Sequence, residues 1–211
     1  MSTAALRWTC CLCTVGQVVY ELPFGPAVMG MTSLGDETFV LRHKRDYTHI
    51  EVCDVSYRLL RHLNVSYIRA CNDMTSCEHY HRVYISDPDV MCIHKVDVHG
   101  VATKQWPVNG IPCGLSVNKA HNVLVTCCDV AKIKEFSSRG VLLRQMSLPD
   151  DVINPWHAIQ LTTGQYVVCH GDIYDAVHRV CLLSEDVTQI VHSHGGQRGS
   201  HTGQYLSLIH I

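Results

Sequence analysis

Residues 83–100 read Val83-Tyr84-Ile85-Ser86-Asp87-Pro88-Asp89-Val90-Met91-Cys92-Ile93-His94-Lys95-Val96-Asp97-Val98-His99-Gly100. Two short apolar runs, rich in β-branched and aromatic residues, flank a polar break. Such runs suit a pleated, half-buried surface. Pro88 and Asp89 interrupt the first run, and Gly100 supplies the backbone freedom of a tight reversal. The stretch predicts two antiparallel strands and the turn into a third.

The same pattern extends in both directions. First runs occur at Phe39-Val40-Leu41, Val83-Tyr84-Ile85, Val123-Leu124-Val125 and Tyr166-Val167-Val168; Val40, Val83, Val123 and Val167 stand 43, 40 and 44 residues apart. Second runs begin at Ile50, Ile93, Ile133 and Val180, and third runs at Leu59, Val101, Val141 and Thr188. A further short stretch precedes each first run: Val28 to Ser33, Met74 to Ser76, Cys113 to Val117 and Ala158 to Leu161. Two of the turns before the third runs contain Gly (Gly100 and Gly140), whereas Asp54 to Tyr57 and Ser184 to Val187 lack it. Helical spacing of apolar residues is absent between the runs. Four short strands per unit of about 40–47 residues define an all-β chain of four-stranded β-propeller blades.

The predicted blades are 24–66, 67–109, 110–151 and 152–196. Residues 1–23 repeat the third-strand, Gly-turn, fourth-strand pattern, so about four and a half blades are expected, the half being a possible ring-closing piece. Residues 197–205 read as a loop to a further blade. Residues 206–211, Leu206-Ser207-Leu208-Ile209-His210-Ile211, resemble translated sequencing-adapter read-through and are set aside as a non-native tail.

The unit in residues 83–100 resembles the NHL repeat, with its apolar strand, Asp, short turn, Arg-Ile-x-x-Phe-Asp and Gly. This chain departs from that pattern with Cys92 in place of Arg and Pro88-Asp89 in place of Asn-Asn; Lys132 keeps a basic residue in the third unit. Pro26, Pro112 and Pro155 precede three inner strands, as in that family. The resemblance spans about residues 8–205 and implies a six-bladed ring, which needs about 250–280 residues at this period. It also implies recognition of a partner, since NHL propellers often form the substrate-recognition part of tripartite-motif ubiquitin ligases. RING and B-box spacing is absent here.

Composition narrows the function. The 211 residues are 46% hydrophobic and 17% charged, with net charge −2, which gives no polybasic footprint for DNA or anionic membranes. No apolar run is long enough to span a bilayer, and the N-terminus makes a poor secretory signal. A cytoplasmic location and reduced thiols are therefore expected for the 12 cysteines. Asn64-Val65-Ser66 is a glycosylation sequon that matters only in a secreted protein. Cys53, Cys92, Cys127, Cys169 and Cys181 fall on predicted strands and read as small buried hydrophobes.

Candidate site residues come from aligning the inner strands on Met31, Met74, Leu115 and Ile159. That places Gly30, Asp73, Gly114 and His157 at equivalent positions, flanked by Asn72 and Trp156. Asn72, Asp73, Trp156 and His157 are thus the expected residues of a channel mouth. The resembling propellers include a zinc lyase with channel histidines, and related calcium hydrolases use Asn and acidic groups. One His and one Asp are too few ligands for either. Cys77-x-His79-x-His81 is an alternating soft-ligand set; on a straight strand its members sit about 6–7 Å apart, too far for one tetrahedral ion, but it falls in the turn between first and second strands, where a bend can gather it, and it stands as a weak metal candidate. His192, His194 and His201 read as a solvated loop. No nucleophile elbow, phosphate loop or His-Glu-x-x-His appears. The expectation is a non-enzymatic scaffold for a protein partner, without cofactor. The alternatives are an RNA-binding propeller, through Arg42-His43-Lys44-Arg45 with Lys132, Lys134, Arg139 and Arg144, and a metal-dependent hydrolase or lyase.

Overall fold

The computed structural model describes residues 11–14, 17–21, 27–44, 47–65, 67–68, 70–98, 103–172 and 177–195. The predicted segments 197–205 and 206–211 lie outside them, as do His99-Gly100 and Ser66 of the sequon.

Among the described residues, eighteen strands account for nearly all regular structure. β1 (Cys11–Thr14) and β2 (Gln17–Glu21) pair with each other. The first four-stranded sheet holds β3 (Ala27–Leu34), β4 (Glu37–Lys44), β5 (Tyr47–Cys53) and β6 (Leu59–Asn64). The second holds β7 (Met74–Cys77), β8 (Arg82–Asp87), β9 (Cys92–Asp97) and β10 (Thr103–Pro107). The third holds β11 (Pro112–Val117), β12 (Val123–Cys127), β13 (Lys132–Phe136) and β14 (Leu142–Ser147). The fourth holds β15 (Pro155–Gln160), β16 (Tyr166–Asp172), β17 (Val177–Leu183) and β18 (Ile190–Gly195). All pairings are antiparallel between consecutive strands, as short polar connections dictate. We call these sheets blades 1 to 4.

The first strands β3, β7, β11 and β15 are adjacent in that order, so the blades stack face to face around their inner edges. Three apolar cores fill the spaces between them. Phe39, Leu41, Ile50 and Val52 of blade 1 meet Val83 and Ile85 of blade 2. Tyr84, Ile93 and Trp106 of blade 2 meet Leu115, Val123, Val125 and Phe136 of blade 3. Leu124, Ile133 and Met146 of blade 3 meet Tyr166, Val168, Cys181 and Leu183 of blade 4. Strand alternation sends neighbouring residues to opposite flanks, so one run such as Val123-Leu124-Val125 serves two cores. The continuous apolar runs in the sequence follow from this two-sided burial.

The turns that lack glycine pay with backbone strain. Tyr57 and Val187 adopt left-handed φ values of 57° and 57°. The β8–β9 and β12–β13 turns likewise end on Met91 (φ 49°) and Ala131 (φ 46°).

The cysteine expectation needs one correction. Cys53, Cys92, Cys127, Cys169 and Cys181 are buried and free, together with Cys71 and Cys77. Cys113 and Cys128, however, form a disulfide across the ends of β11 and β12, with Cα atoms 6.1 Å apart. Sequence spacing missed it because Cys113 is brought back beside Cys128 only by the β11–β12 pairing.

Candidate functional site at the axial end of the inner strands

Each inner strand begins with an irregularity at the same place. The register with the second strand slips between Val28 and Gly30, between Pro112 and Gly114, and between Pro155 and His157. Met29, Cys113 and Trp156 are the extra residues of these β-bulges, which re-aim the chain at the mouth. In blade 2 Asn72 takes that place: its N–H donates to the Ser86 carbonyl, and the Ser86 N–H donates to the carbonyl of Asp73, the next residue. Gly30, Asp73, Gly114 and His157 are therefore equivalent in space.

Asn72, Asp73 and His157 converge on blade 3. Asn72 Nδ2 donates to the Cys113 carbonyl at 3.1 Å. Asp73 Oδ1 accepts from Met74 N at 2.8 Å, and Oδ2 accepts from Leu115 N at 2.8 Å. His157 Nε2 donates to the Leu115 carbonyl at 2.9 Å and lies 3.5 Å from Asp73 Oδ2. One residue of β11, Leu115, is thus gripped from both neighbouring blades, its N–H by Asp73 and its carbonyl by His157. Trp156 is half-buried and its Nε1 donates to the Gly171 carbonyl at 3.4 Å, within its own blade. Beside it, burial holds the His170 imidazole below its ordinary value, and the Arg179 charge adds to this.

The glycines of blades 1 and 3 have a steric cause. A Cβ on Gly114 would lie 2.4 Å from the Trp156 carbonyl oxygen and 2.7 Å from His157 Cα. One on Gly30 would lie 3.0 Å from Met74 N and Cγ. Residues with side chains alternate with glycines because the next blade's backbone occupies the glycine positions. The sequence alignment found these four positions; it carried no signal for the bulge or for the close approach.

The other candidates disperse. Cys77 is buried in β7, while His79 stacks on His121 with ring centroids 4.2 Å apart, so Cys77, His79 and His81 form no ligand cluster among the described residues. His192 and His194 are exposed on β18. Among the basic residues weighed for RNA, Arg42 is buried against Glu51, Lys134 is buried and donates to the Asn109 carbonyl, and Arg144 binds Glu135 and Tyr166. The side chains of His43, Lys44 and Arg45 lie outside the described residues.

A buried Cys92, His94 and Asp87 set went unnoticed in the sequence. His94 Nε2 lies 3.3 Å from Cys92 Sγ and 3.2 Å from Asp87 Oδ2. One nitrogen faces both partners, and burial, aided by the Asp87 charge, pushes the thiol up to about 11. An activated nucleophile needs a depressed thiol and a base oriented through its second nitrogen, so this set is structural.

Radially stacked four-stranded sheets meeting at their inner strands define a β-propeller. Solved structures that share this fold include a streptogramin B lyase, at 15% identity and TM-score 0.60, covering 74% of this chain and 51% of that one. Hydrazine synthase of Kuenenia stuttgartiensis aligns at 13% identity and TM-score 0.64, covering 81% and 49%. Virginiamycin B lyase of Staphylococcus aureus aligns at 12% identity and TM-score 0.59, covering 75% and 52%. The chain spans about half the length of these structures. No protein-family model and no curated protein matches the sequence. At these identities the likeness is one of fold. Among the described residues no helix is long and apolar enough to cross a membrane.

Proposed function

We propose that the chain is a non-enzymatic interaction propeller of the NHL type, and that its axial-mouth face binds an apolar, positively charged segment of a protein partner. One observation carries this reading. Tyr67, Val90, Met91, Ile111, Val130 and Ile153 are all exposed, and all stand at the end of the blades where the inner strands begin. They occupy the loops ahead of β7, β11 and β15 and the β8–β9 and β12–β13 turns. The same connections carry the exposed Asp89, Asp129, Asp150 and Asp151. Apolar residues rimmed by charge mark an interaction surface, and acidic rims favour a basic partner.

The polar groups of the mouth support a framing role. Asn72, Asp73 and His157 are engaged in bonds between blades and hold the loops in place. If the tripartite-motif resemblance extends to function, the bound segment belongs to a ligase substrate and the transfer chemistry to other modules.

The test uses arrays of basic, apolar peptides and, separately, single-stranded RNA, against the wild-type chain and a Met91→Asp/Ile153→Asp double variant. Both residues are exposed, so circular dichroism should be unchanged. Peptide binding that falls at least tenfold in the double variant supports the proposal. Equal binding by both proteins, or RNA binding that collapses with added salt in the absence of peptide binding, overturns it.

A further inference from the structure

A separate cluster lies on the flank of blade 1 that faces away from blade 2. Ile50 and Val52 of β5 enter the core shared with blade 2, so strand alternation turns His49 and Glu51 to the opposite flank. His62 of β6 sits opposite Glu51 in register, and Arg42 of β4 sits opposite His49. His49, Glu51 and His62 each offer a ligand atom, and these atoms lie within 4.8 Å of one another. Among the described residues no other three His, Cys, Asp or Glu side chains do so.

The carboxylate is only half used. Arg42 Nε donates to Glu51 Oε2 at 2.5 Å. The other oxygen, Oε1, lies 3.6 Å from His49 Nε2, beyond a normal hydrogen bond. The His49 and His62 rings stand edge to face, with centroids 5.3 Å apart. Two imidazoles and one carboxylate oxygen therefore gather within reach of one small ion once a side chain adjusts. We propose that His49, Glu51 and His62 bind a divalent transition-metal cation of the zinc class, with solvent completing the tetrahedron.

The donor set fits that class. Imidazole suits zinc, nickel and copper, while calcium and magnesium take oxygen ligands. Zinc–nitrogen bonds of about 2.0–2.1 Å place tetrahedral ligand atoms about 3.4 Å apart. His62 is exposed and can rotate inward to close that gap, while the sheet holds His49 and Glu51. Arg42 orients the carboxylate from behind, the part an outer-shell partner plays at metal sites. Its positive charge also opposes the ion, which favours a modest affinity.

Titration of the whole chain with Co2+, followed by displacement with Zn2+, tests this directly. The expected spectrum is that of nitrogen and oxygen ligation at one equivalent, without the near-ultraviolet charge-transfer band of a thiolate. His62→Ala, on an exposed side chain, should weaken binding about 10–100-fold, and Glu51→Gln should do the same. His79→Ala, on an exposed histidine of blade 2, should leave the affinity unchanged. A thiolate spectrum, an unchanged affinity in His62→Ala, an equal loss in His79→Ala or no binding at all overturns the site.

Discussion

Blades 1 and 3 use the same parts and differ in what surrounds them. Each carries a glycine after its inner-strand bulge and an Arg–Glu pair, Arg42 of β4 with Glu51 of β5 in blade 1 and Arg144 of β14 with Glu135 of β13 in blade 3. Blade 3 packs against a neighbour on both flanks. There Glu135 is saturated: Asn118 and Asn122 both donate to Oε1 at 2.8 Å, and Arg144 donates to Oε2 at 2.5 Å. Arg144 continues to Tyr166 of blade 4 at 2.7 Å. On blade 1, Glu51 keeps one oxygen without a hydrogen bond among the described residues and faces two imidazoles. Enclosure on both flanks demands complete hydrogen bonding, because an unsatisfied buried group costs its full desolvation. A flank with one described neighbour tolerates an incomplete set, and an incomplete set can accept a ligand.

The glycines test the comparison most severely. Gly114→Val drives a side chain into the backbone of Trp156 and should cost about 3–5 kcal/mol, read as a shift in urea midpoint at constant slope. Gly30→Ala meets 3.0 Å contacts, one of them to the flexible Met74 side chain, and should cost about 1–2 kcal/mol. Equal costs would show that the two mouths are packed alike. Next comes the covalent tie that, among the described residues, only blade 3 carries. Cys128→Ser opens a loop with a sequence separation of 15 and should cost about 3 kcal/mol without reductant. The same variant should match wild type in excess dithiothreitol.

The carboxylates come third. Glu135→Gln should cost about 2 kcal/mol and Glu51→Gln about 1 kcal/mol, since only the first breaks a saturated buried set. Burial raises the Glu135 carboxyl, but its bonds to Arg144, Asn122 and Asn118 outweigh that and hold it below the ordinary 4.5. A depressed folded value gives stability that is fully present above 4.5 and lost as pH falls through the lower folded value. Glu135→Gln should flatten that acid limb of the stability curve; an unchanged limb would remove Glu135 as its source. The smallest effect is at the β12–β13 turn, where Ala131→Gly relieves a left-handed residue and should gain about 0.5 kcal/mol in thermal melts.

Much of the ring is legible from residues 83–100 outward, because apolar runs of strand length recur with turn residues between them. Strands β8, β9, β12 and β13 fall on runs read directly from the sequence, and Ile50, Ile93 and Ile133 mark one position in three blades. The equivalence of Gly30, Asp73, Gly114 and His157 is also visible in the alignment. Their job is not: the hydrogen bonds of Asp73 and His157 run to Leu115, 42 residues away in each case. A glycine in sequence says only that a side chain is missing, and the Trp156 backbone above Gly114 supplies the reason. Cys77, His79 and His81 stand out as a weak metal candidate only through their alternate spacing in one short turn. The cluster on blade 1 draws on two strands and was invisible to that spacing.

By itself, the sequence determined the class of structure: short strands, four to a unit, at a period that only stacked blades can bury. It determined this because burial of alternating apolar residues is a local pattern with a fixed period. Tertiary structure alone decided which polar groups are spent and which remain available. Glu51 and Glu135 are the same residue type beside an arginine, and only the folded positions of Asn118, Asn122 and Arg144 around Glu135 show that one is complete. Hydrogen-bond satisfaction is a property of neighbours distant in the chain, so no run of residues can announce it.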